Sequence, residues 1–205
     1  MENIPINWDQ YWRKPNSSIP ILAGTLNVSV ELPFTFPFYG HQVSKIFIFP
    51  SGFISTDKVE HRTKYIAPMK ANLDPHHDET SGLSYWLDAK NSSVTVEWKN
   101  AVVKYLPSSP PFTFRARICK SGVIEFIYQY SGINMTHILP LDRDFKIGIA
   151  DSVTSYGLAF SYHSVNIPRD MIQDKTMVTL QPLTTCTTQI SCEECIQANF
   201  SFHCF

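Results

Sequence analysis

Short segments of alternating apolar and polar residues recur along the chain. In residues 112–118 every second residue is apolar, and the intervening positions hold Thr113, Arg115 and Arg117. Successive side chains of a β-strand point to opposite faces, so this pattern predicts a half-buried strand. We expect the apolar residues to face a core and the three polar residues to face water.

A β-hairpin is predicted around this strand. Residues 119–122 form a short turn in which Gly122 can adopt positive φ, and residues 123–130 are rich in β-branched and aromatic side chains. Similar patterns predict further strands at residues 26–30, 45–49, 53–56, 83–87, 94–98, 146–150, 158–162 and 177–180.

The fold class follows from these many short strands. Fourteen prolines are spread along the 205 residues, which leaves few windows long enough for a helix. Two packed sheets cover each other's apolar faces, so we expect an all-β antiparallel β-sandwich or jelly roll. We place the sandwich at residues 24–182, a leader or linker at 1–23, and a small disulfide-rich segment at 183–205.

The amino-acid composition argues against nucleic-acid binding and against a disordered chain. Charged residues make up 17% of the chain and the net charge is −1, with no basic stripe. Nucleic-acid binding depends on clustered basic residues, so nucleic acid is not an expected partner. The 43% of hydrophobic residues is typical of a folded chain rather than a disordered one.

The last twenty residues concentrate four cysteines in the pattern C-x5-C-x2-C-x8-C, at Cys186, Cys192, Cys195 and Cys204. Such a short segment buries too little apolar surface to fold unaided, which favours disulfides. A zinc site formed by Cys192, Cys195, His203 and Cys204 is the alternative. Disulfides are the preferred interpretation because adjacent His203 and Cys204 are poorly placed to share a tetrahedral ion.

Glycosylation sequons indicate an extracellular protein. Five N-x-[ST] sequons begin at Asn16, Asn27, Asn91, Asn134 and Asn199. The chain's ten Asn and thirty-five Ser and Thr would produce about 1.7 by chance. Turn-rich proteins also accumulate Asn and Ser, which is the alternative explanation. The given sequence shows no signal peptide and no apolar run that could span a membrane. Taken alone this suggests a cytosolic protein, but an internal portion of a longer protein would look the same.

Candidate chemistry is sparse. Residues 72–79 contain two histidines and three acids, and Asp74 and Asp78 are weak candidates for Ca²⁺ ligands; a solvated loop is the preferred interpretation. No Ser or Cys lies in a nucleophile motif, so we expect neither an enzyme nor a cofactor. Cys119 ends a strand and is interpreted as a small buried residue or as the partner of a cysteine elsewhere.

Three aromatic residues near the start of the chain, Trp8, Tyr11 and Trp12, have two interpretations. They could form a ligand platform. Aromatic side chains at the edge of a domain more often plug the end of a sandwich, which is the preferred interpretation.

Several motifs carry a family resemblance. Residues 32–41 read LPFTFPFYGH, residues 51–54 read SGFI, and residues 65–75 read YIAPMKANLDP. With FTFRA at 112–116, SGVIEF at 121–126 and KIGIAD at 146–151, the chain resembles the plexin domain-containing proteins and the wider nidogen-type extracellular β domain. Ser121 stands where that family usually has Asp.

The cysteine-rich tail is similar to the first half of a plexin-semaphorin-integrin module. This resemblance implies that Cys186 pairs with Cys204, while Cys192 and Cys195 bond partners beyond Phe205. It also implies the ectodomain of a single-pass type I membrane protein that acts as a receptor or adhesion protein. An extracellular protein ligand, a basement-membrane protein such as nidogen or a secreted serpin, would then be the partner.

The sequence leaves two alternative functions. The first is the extracellular ligand-binding or adhesion portion of a cell-surface receptor, which binds a protein through the sandwich loops or an exposed sheet face. The alternative is a jelly roll that binds or processes carbohydrate with Ca²⁺ held by the loop from Asp74 to Glu79.

Overall fold

The computed structural model describes residue 8 and residues 12–57, 64–104, 110–129, 145–156 and 158–183. Within these ranges nearly all regular structure is β. The strands are β1 Ile19–Ile21, β2 Val28–Phe38, β3 His41–Phe49, β4 Phe53–Ser55, β5 Tyr65–Lys70, β6 Leu73–Asp74, β7 Gly82–Leu87, β8 Ser93–Val103, β9 Phe112–Cys119, β10 Ile124–Gln129, β11 Lys146–Ser155, β12 Leu158–Asn166 and β13 Thr176–Leu180. A single 3-10 turn, Arg169–Met171, separates β12 from β13.

The strands form two sheets, and every strand pair is antiparallel. Sheet A has the order β1-β7-β8-β9-β10-β13, and β6 also pairs with β8. Sheet B has the order β12-β11-β5-β4-β3-β2. The predicted all-β antiparallel sandwich is confirmed, and each of the ten strands expected from the sequence overlaps an observed strand.

Alternation determines which residues enter the core. In β2 the apolar residues Val30, Leu32, Phe34, Phe36 and Phe38 are buried, whereas the residues between them are partly or fully exposed. Pairing with β3 is interrupted between Glu31 and Phe36, where β2 contains a proline. An edge strand tolerates a residue without a backbone N–H, so β2 keeps its apolar face despite its prolines.

Two side chains tie the sheets together across the core. Trp98 of sheet A is fully buried, stacks on Phe114 and donates from Nε1 to the carbonyl oxygen of Phe49 in sheet B at 3.0 Å. Tyr128 of sheet A donates its hydroxyl proton to the carbonyl oxygen of Pro68 in sheet B at 2.7 Å. Because buried Trp and Tyr need partners for their polar atoms, these bonds fix how the sheets face each other.

Strand β5 was not among the strands expected from the sequence. Its Pro68 makes a central strand improbable on pattern alone. The pairing of β11 with β5 shifts register between Lys146 and Gly148, next to this proline, so Pro68 lies at a bulge rather than in the regular ladder. Two of the resemblance motifs, around residues 65–70 and 146–151, therefore form neighbouring strands.

The ends of the sandwich can be compared with the expected boundaries. Ile19–Ile21, placed in a leader or linker, forms β1 and pairs with Leu83–Tyr85 of β7. The structure describes the chain only as far as residue 183 at its C-terminal end. The pairing of Cys186 with Cys204, the outside partners of Cys192 and Cys195, and the zinc alternative lie outside the described residues and stay predictions.

Candidate functional site

The outer edge of sheet B exposes a row of apolar side chains. On β12, Leu158, Phe160 and Tyr162 are 62%, 53% and 55% exposed, and Val153 of β11, which pairs with Phe160, is 54% exposed. Single exposed apolar residues are common, but adjacent ones on a strand edge indicate a contact surface. We call these four residues the β12 row.

Among the described strands, those at the other three sheet edges are short or contain proline, and β12 is neither short nor interrupted by proline. Strand β1 has three residues including Pro20, β2 carries Pro33 and Pro37, and β13 has five residues with Pro182 just beyond it. Short strands and prolines prevent edge-to-edge pairing. The nine residues of β12, LAFSYHSVN, include no proline, glycine, lysine, arginine or carboxylate. Its free edge pairs with no other described strand.

A bulge and a buried carboxylate shape one end of the β12 row. Pairing between β11 and β12 shifts register after Asp151, so Tyr162 is the extra residue of the bulge. Tyr162 donates its hydroxyl proton to Asp151, which is 2% exposed and also accepts from the Ser152 N–H at 2.9 Å. Lys64 Nζ lies 3.5 Å from the same carboxylate. These contacts hold Tyr162 in place.

The tip of the β2–β3 hairpin reaches this end of the row, although β2 and β12 are at opposite ends of the strand order. Tyr39 and Gly40 form a two-residue turn and both have positive φ, as type I′ hairpins require. The Tyr39 hydroxyl is 2.9 Å from His163 Nδ1, and its ring lies edge-on to Tyr162. A non-glycine residue with positive φ is costly, so packing against β12 stabilises the strained turn.

Tyrosine ionisation is suppressed in this cluster. Burial, followed by the nearby Asp151 carboxylate and Tyr65, raises the pKa of Tyr39 to about 12. Partial desolvation and the hydrogen bond to Asp151 raise the pKa of Tyr162 to about 12. Both hydroxyls therefore keep their protons at physiological pH and act as hydrogen-bond donors or acceptors rather than as bases.

An alkaline titration checks this cluster. Since the pKa of Tyr39 is about 12 in the folded chain and 10.0 for an ordinary tyrosine, the folded state holds an extra proton between these values. The stability that results is complete below pH 10 and is lost as pH rises toward 12. Tyr39→Phe should remove one late transition from the 295-nm absorbance titration and make urea stability fall less over this range. Loss of a transition near pH 10 instead would contradict the burial of Tyr39.

A second cluster lies on the outer face of sheet A. Arg115 was expected to face water, and this prediction is wrong: the residue is 3% exposed. Its Nε and Nη2 donate to Oε2 of Glu97, at 2.7 and 2.5 Å, and the guanidinium lies between the rings of Trp12 and Trp86. The alternation of apolar and polar residues in β9 correctly predicts that Arg115 lies on the face of sheet A away from the core. The side chain is nevertheless buried, because the N-terminal segment covers that face.

The covering segment, residues 12–14, is held by Arg115 and Glu97. Arg115 Nη2 donates to the carbonyl oxygen of Trp12 at 3.1 Å, while Lys14 Nζ lies 3.3 Å from Glu97 Oε1 and donates to Ser84 Oγ at 2.8 Å. The Lys14–Glu97 contact is an ion pair without hydrogen-bond geometry, since Oε1 has no hydrogen-bond partner. Trp12 therefore neither forms an exposed platform nor plugs the sandwich end; it caps a buried ion pair.

The family model described as NIDO related matches residues 16–189. The chain belongs to the nidogen-related family. This assignment confirms the nidogen-type part of the resemblance and indicates an extracellular, adhesion-type domain. No solved structure matches the chain significantly. Among the described residues of this nidogen-related domain, no helix is long and apolar enough to cross a bilayer.

In the acidic loop of the nidogen-related domain, the aspartate carboxylates accept hydrogen bonds from residues close to them in sequence. Asp74 Oδ1 accepts from the backbone N–H of His76 at 3.0 Å. Asp78 Oδ1 accepts from the Thr80 hydroxyl and from the N–H groups of Thr80 and Ser81, and the hydroxyl bond contributes most to lowering its pKa. The described residues contain no group of three or more His, Cys, Asp and Glu side chains arranged to hold a metal. The loop geometry is that of Asx turns.

Three predicted glycosylation sites fall within the described residues. Asn16, Asn27 and Asn91 are all exposed, and Asn91 adopts positive φ in the β7–β8 turn. None of the three lies on β11 or β12. Asn134 and Asn199 lie outside the described residues. Glycosylation at all five stays a prediction.

Cys119, at the end of β9, is half-buried and forms no disulfide with another described residue. Burial raises the pKa of its thiol, an effect that nearby Arg117 partly opposes. A raised pKa disfavours the reactive thiolate, so the geometry gives no support for a nucleophile. Of the other N-terminal aromatic residues, Trp8 is partly buried and Tyr11 lies outside the described residues.

Proposed function

We propose that the chain is the non-enzymatic, extracellular ligand-binding or adhesion portion of a single-pass cell-surface receptor, of the plexin domain-containing kind. The observation that carries this proposal is the β12 row on a strand edge that pairs with no other described strand, in a chain of the nidogen-related family. The sequence motifs and the five sequons support the same assignment. Binding at such an edge needs no catalytic group, cofactor or metal.

The partner that fits β12 is an extended, uncharged segment of another extracellular protein. Strand addition supplies backbone hydrogen bonds along the edge, and alternate side chains give specificity. Strand β12 is long enough for such an addition, and its nine residues include no Lys, Arg, Asp or Glu. A charged segment would have to leave its charge beside Leu158, Phe160 and Tyr162, where no described side chain of β12 could pair with it.

The β12 row would supply the apolar contacts of this complex. Since Leu158, Phe160 and Val153 are each more than half exposed, a partner strand can cover them without displacing any core residue. Tyr162 keeps its orientation through Asp151, which reduces the conformational entropy lost on binding. By resemblance, the partner is a basement-membrane protein such as nidogen, or a secreted serpin.

A charge placed on the edge tests the proposal. Phe160→Lys puts an ammonium group in the middle of the row, as natural edge strands do to prevent pairing. Because Phe160 is 53% exposed, we expect the stability of the chain to change by no more than about 0.5 kcal/mol. Binding to immobilised nidogen, measured by surface plasmon resonance, should weaken by about 2 kcal/mol or more, as expected for a central contact.

The matched control is Leu26→Lys, which introduces the same charge at a residue 82% exposed before β2, on the opposite edge of sheet B. This variant should bind nidogen as the unmodified chain does. Equal weakening by both substitutions would indicate a general charge effect and contradict the β12 site. Absence of nidogen binding, with the serpin bound in its place and sensitive to Phe160→Lys, would keep the site and change the partner.

A further inference from the structure

A cleft on the outer face of sheet A has the composition of an anion-binding site. It encloses about 310 Å³ beside the covering segment, and its walls include Arg13, Arg115, Arg117 and Trp86. This volume is at the lower end of the range for small-molecule sites and suits a single ring with its substituents. The cleft is separate from the β12 row, which lies on sheet B.

Positive charge exceeds negative charge around the cleft. Four cations, Arg13, Lys14, Arg115 and Arg117, surround it together with three carboxylates, Asp88, Glu97 and Glu125. Glu97 is engaged by Arg115 and Lys14. The Asp88 carboxylate accepts from the Ser92 N–H and hydroxyl at 2.6 and 2.7 Å, bonds that hold its pKa below the ordinary value although burial opposes this.

Two arginines keep donor capacity for a ligand. Arg117 donates from Nε to Ser93 Oγ and from Nη1 to Glu125, both at 3.2 Å, while its Nη2 has no hydrogen-bond partner among the described residues. Arg13 is exposed and pairs with no carboxylate in the described part of the chain. A planar guanidinium can bind a carboxylate or sulfate through two parallel bonds.

The remaining walls favour a sugar ring. Trp86 is 8% exposed and Ile127 2% exposed, so together they offer only a narrow apolar strip, and Thr95 adds a hydroxyl that has no partner among the described residues. A saccharide presents a C–H face to an indole and hydroxyls to donors and acceptors, whereas an Asp or Glu side chain presents only its carboxylate. Trp86 is held rigidly because Arg115, fixed by Glu97, lies 5.0 Å from its ring centre.

We infer that this cleft binds an acidic saccharide unit, with its carboxylate or sulfate on Arg13 and Arg117 and its ring over the small exposed part of Trp86. Two extracellular sources share this chemistry: sulfated glycosaminoglycan chains and the sialic acids that end glycoprotein glycans. The inference does not depend on the protein contact proposed at β12, and it requires no metal ion.

Titration of the 205-residue chain with a sulfated heparin disaccharide, N-acetylneuraminic acid and glucose tests the inference, with isothermal calorimetry as the readout. At least one acidic saccharide should bind more tightly than glucose, and binding should weaken as salt rises from about 50 to about 300 mM. Arg13→Gln and Arg117→Gln should each weaken binding about tenfold or more, the loss expected for one charge-assisted contact.

Lys99→Gln is the matched control, because it removes the same charge from an exposed residue of β8 outside the cleft walls. It should change affinity by less than about twofold. Binding of the heparin disaccharide alone assigns the site to glycosaminoglycan, and binding of N-acetylneuraminic acid alone assigns it to sialylated glycans.

Four results would overturn the inference. They are no binding of either acidic saccharide, equal binding of glucose, full affinity in both arginine variants, and tighter binding of an acidic peptide such as tetraglutamate. Circular dichroism of each variant checks that the protein is still folded, so that a loss of binding can be assigned to the substitution. Because Arg13 is exposed, Arg13→Gln should fold normally and keeps the test decisive even if Arg117→Gln fails to fold.

Discussion

Replacing Glu97 by Gln should destabilise the chain by about 3–5 kcal/mol, because it leaves the Arg115 guanidinium buried without its counter-charge. Arg115 is 3% exposed, lies between Trp12 and Trp86 and donates twice to Glu97. At 3% exposure the guanidinium has little access to water that could replace the lost carboxylate. Urea denaturation followed by circular dichroism measures the loss, and tryptophan fluorescence should report release of Trp12.

The neighbouring ion pair supplies the control. Arg117 and Glu125 are related as Arg115 and Glu97 are, but their side chains are 35% and 14% exposed. Glu125→Gln should therefore cost only about 1 kcal/mol or less. A double variant, Glu97→Leu with Arg115→Met, removes both charges and should recover most of the stability. Equal costs for Glu97→Gln and Glu125→Gln would show that the Arg115 pair is solvated in solution.

Gly148→Ala is expected to have the second large effect, at about 3 kcal/mol or more, since it combines backbone strain with a collision. Gly148 has a φ of +138°, a conformation that residues with a Cβ avoid. A Cβ at this position would lie 1.9 Å from the carbonyl oxygen of Val165, in the backbone of β12. The substitution should push β12 away from β11 and weaken nidogen binding as well as stability.

Gly82→Ala is the matched control, because an added Cβ at Gly82, in β7, meets no atom within 4 Å. This variant should differ from the unmodified chain by no more than about 0.5 kcal/mol. Thermal denaturation compares the two variants. If Gly148→Ala were as stable as Gly82→Ala, the close approach of β11 and β12 that defines the candidate site would be wrong.

The alternation of apolar and polar residues predicts those strands that have one buried face and one face exposed to solvent. The β9–β10 hairpin is the clearest example, with Ile118 paired to Ile124 around the turn that contains Gly122. The pattern fails at β5, where all six residues are buried and no alternation exists to be read. It also fails at β1, since three residues that include Pro20 resemble a loop.

The two candidate sites differ in how far sequence could reveal them. Leu158, Phe160 and Tyr162 were recognisable as a strand face, but a core strand has the same alternation, and only the sheet order shows that β12 is an edge strand among the described strands. The cleft on sheet A depends on Trp12 lying over Arg115, 103 positions away. A contact at that separation leaves no periodic signal in the sequence.

Hydrogen–deuterium exchange of the chain with and without bound nidogen tests whether the ligand adds a strand to β12, because strand addition makes new backbone hydrogen bonds. We expect slower exchange in Leu158–Asn166 on binding, with little change in Val28–Phe38 at the opposite edge of the same sheet. Protection confined to β2 or to the sandwich loops, with β12 unchanged, would contradict strand addition at β12.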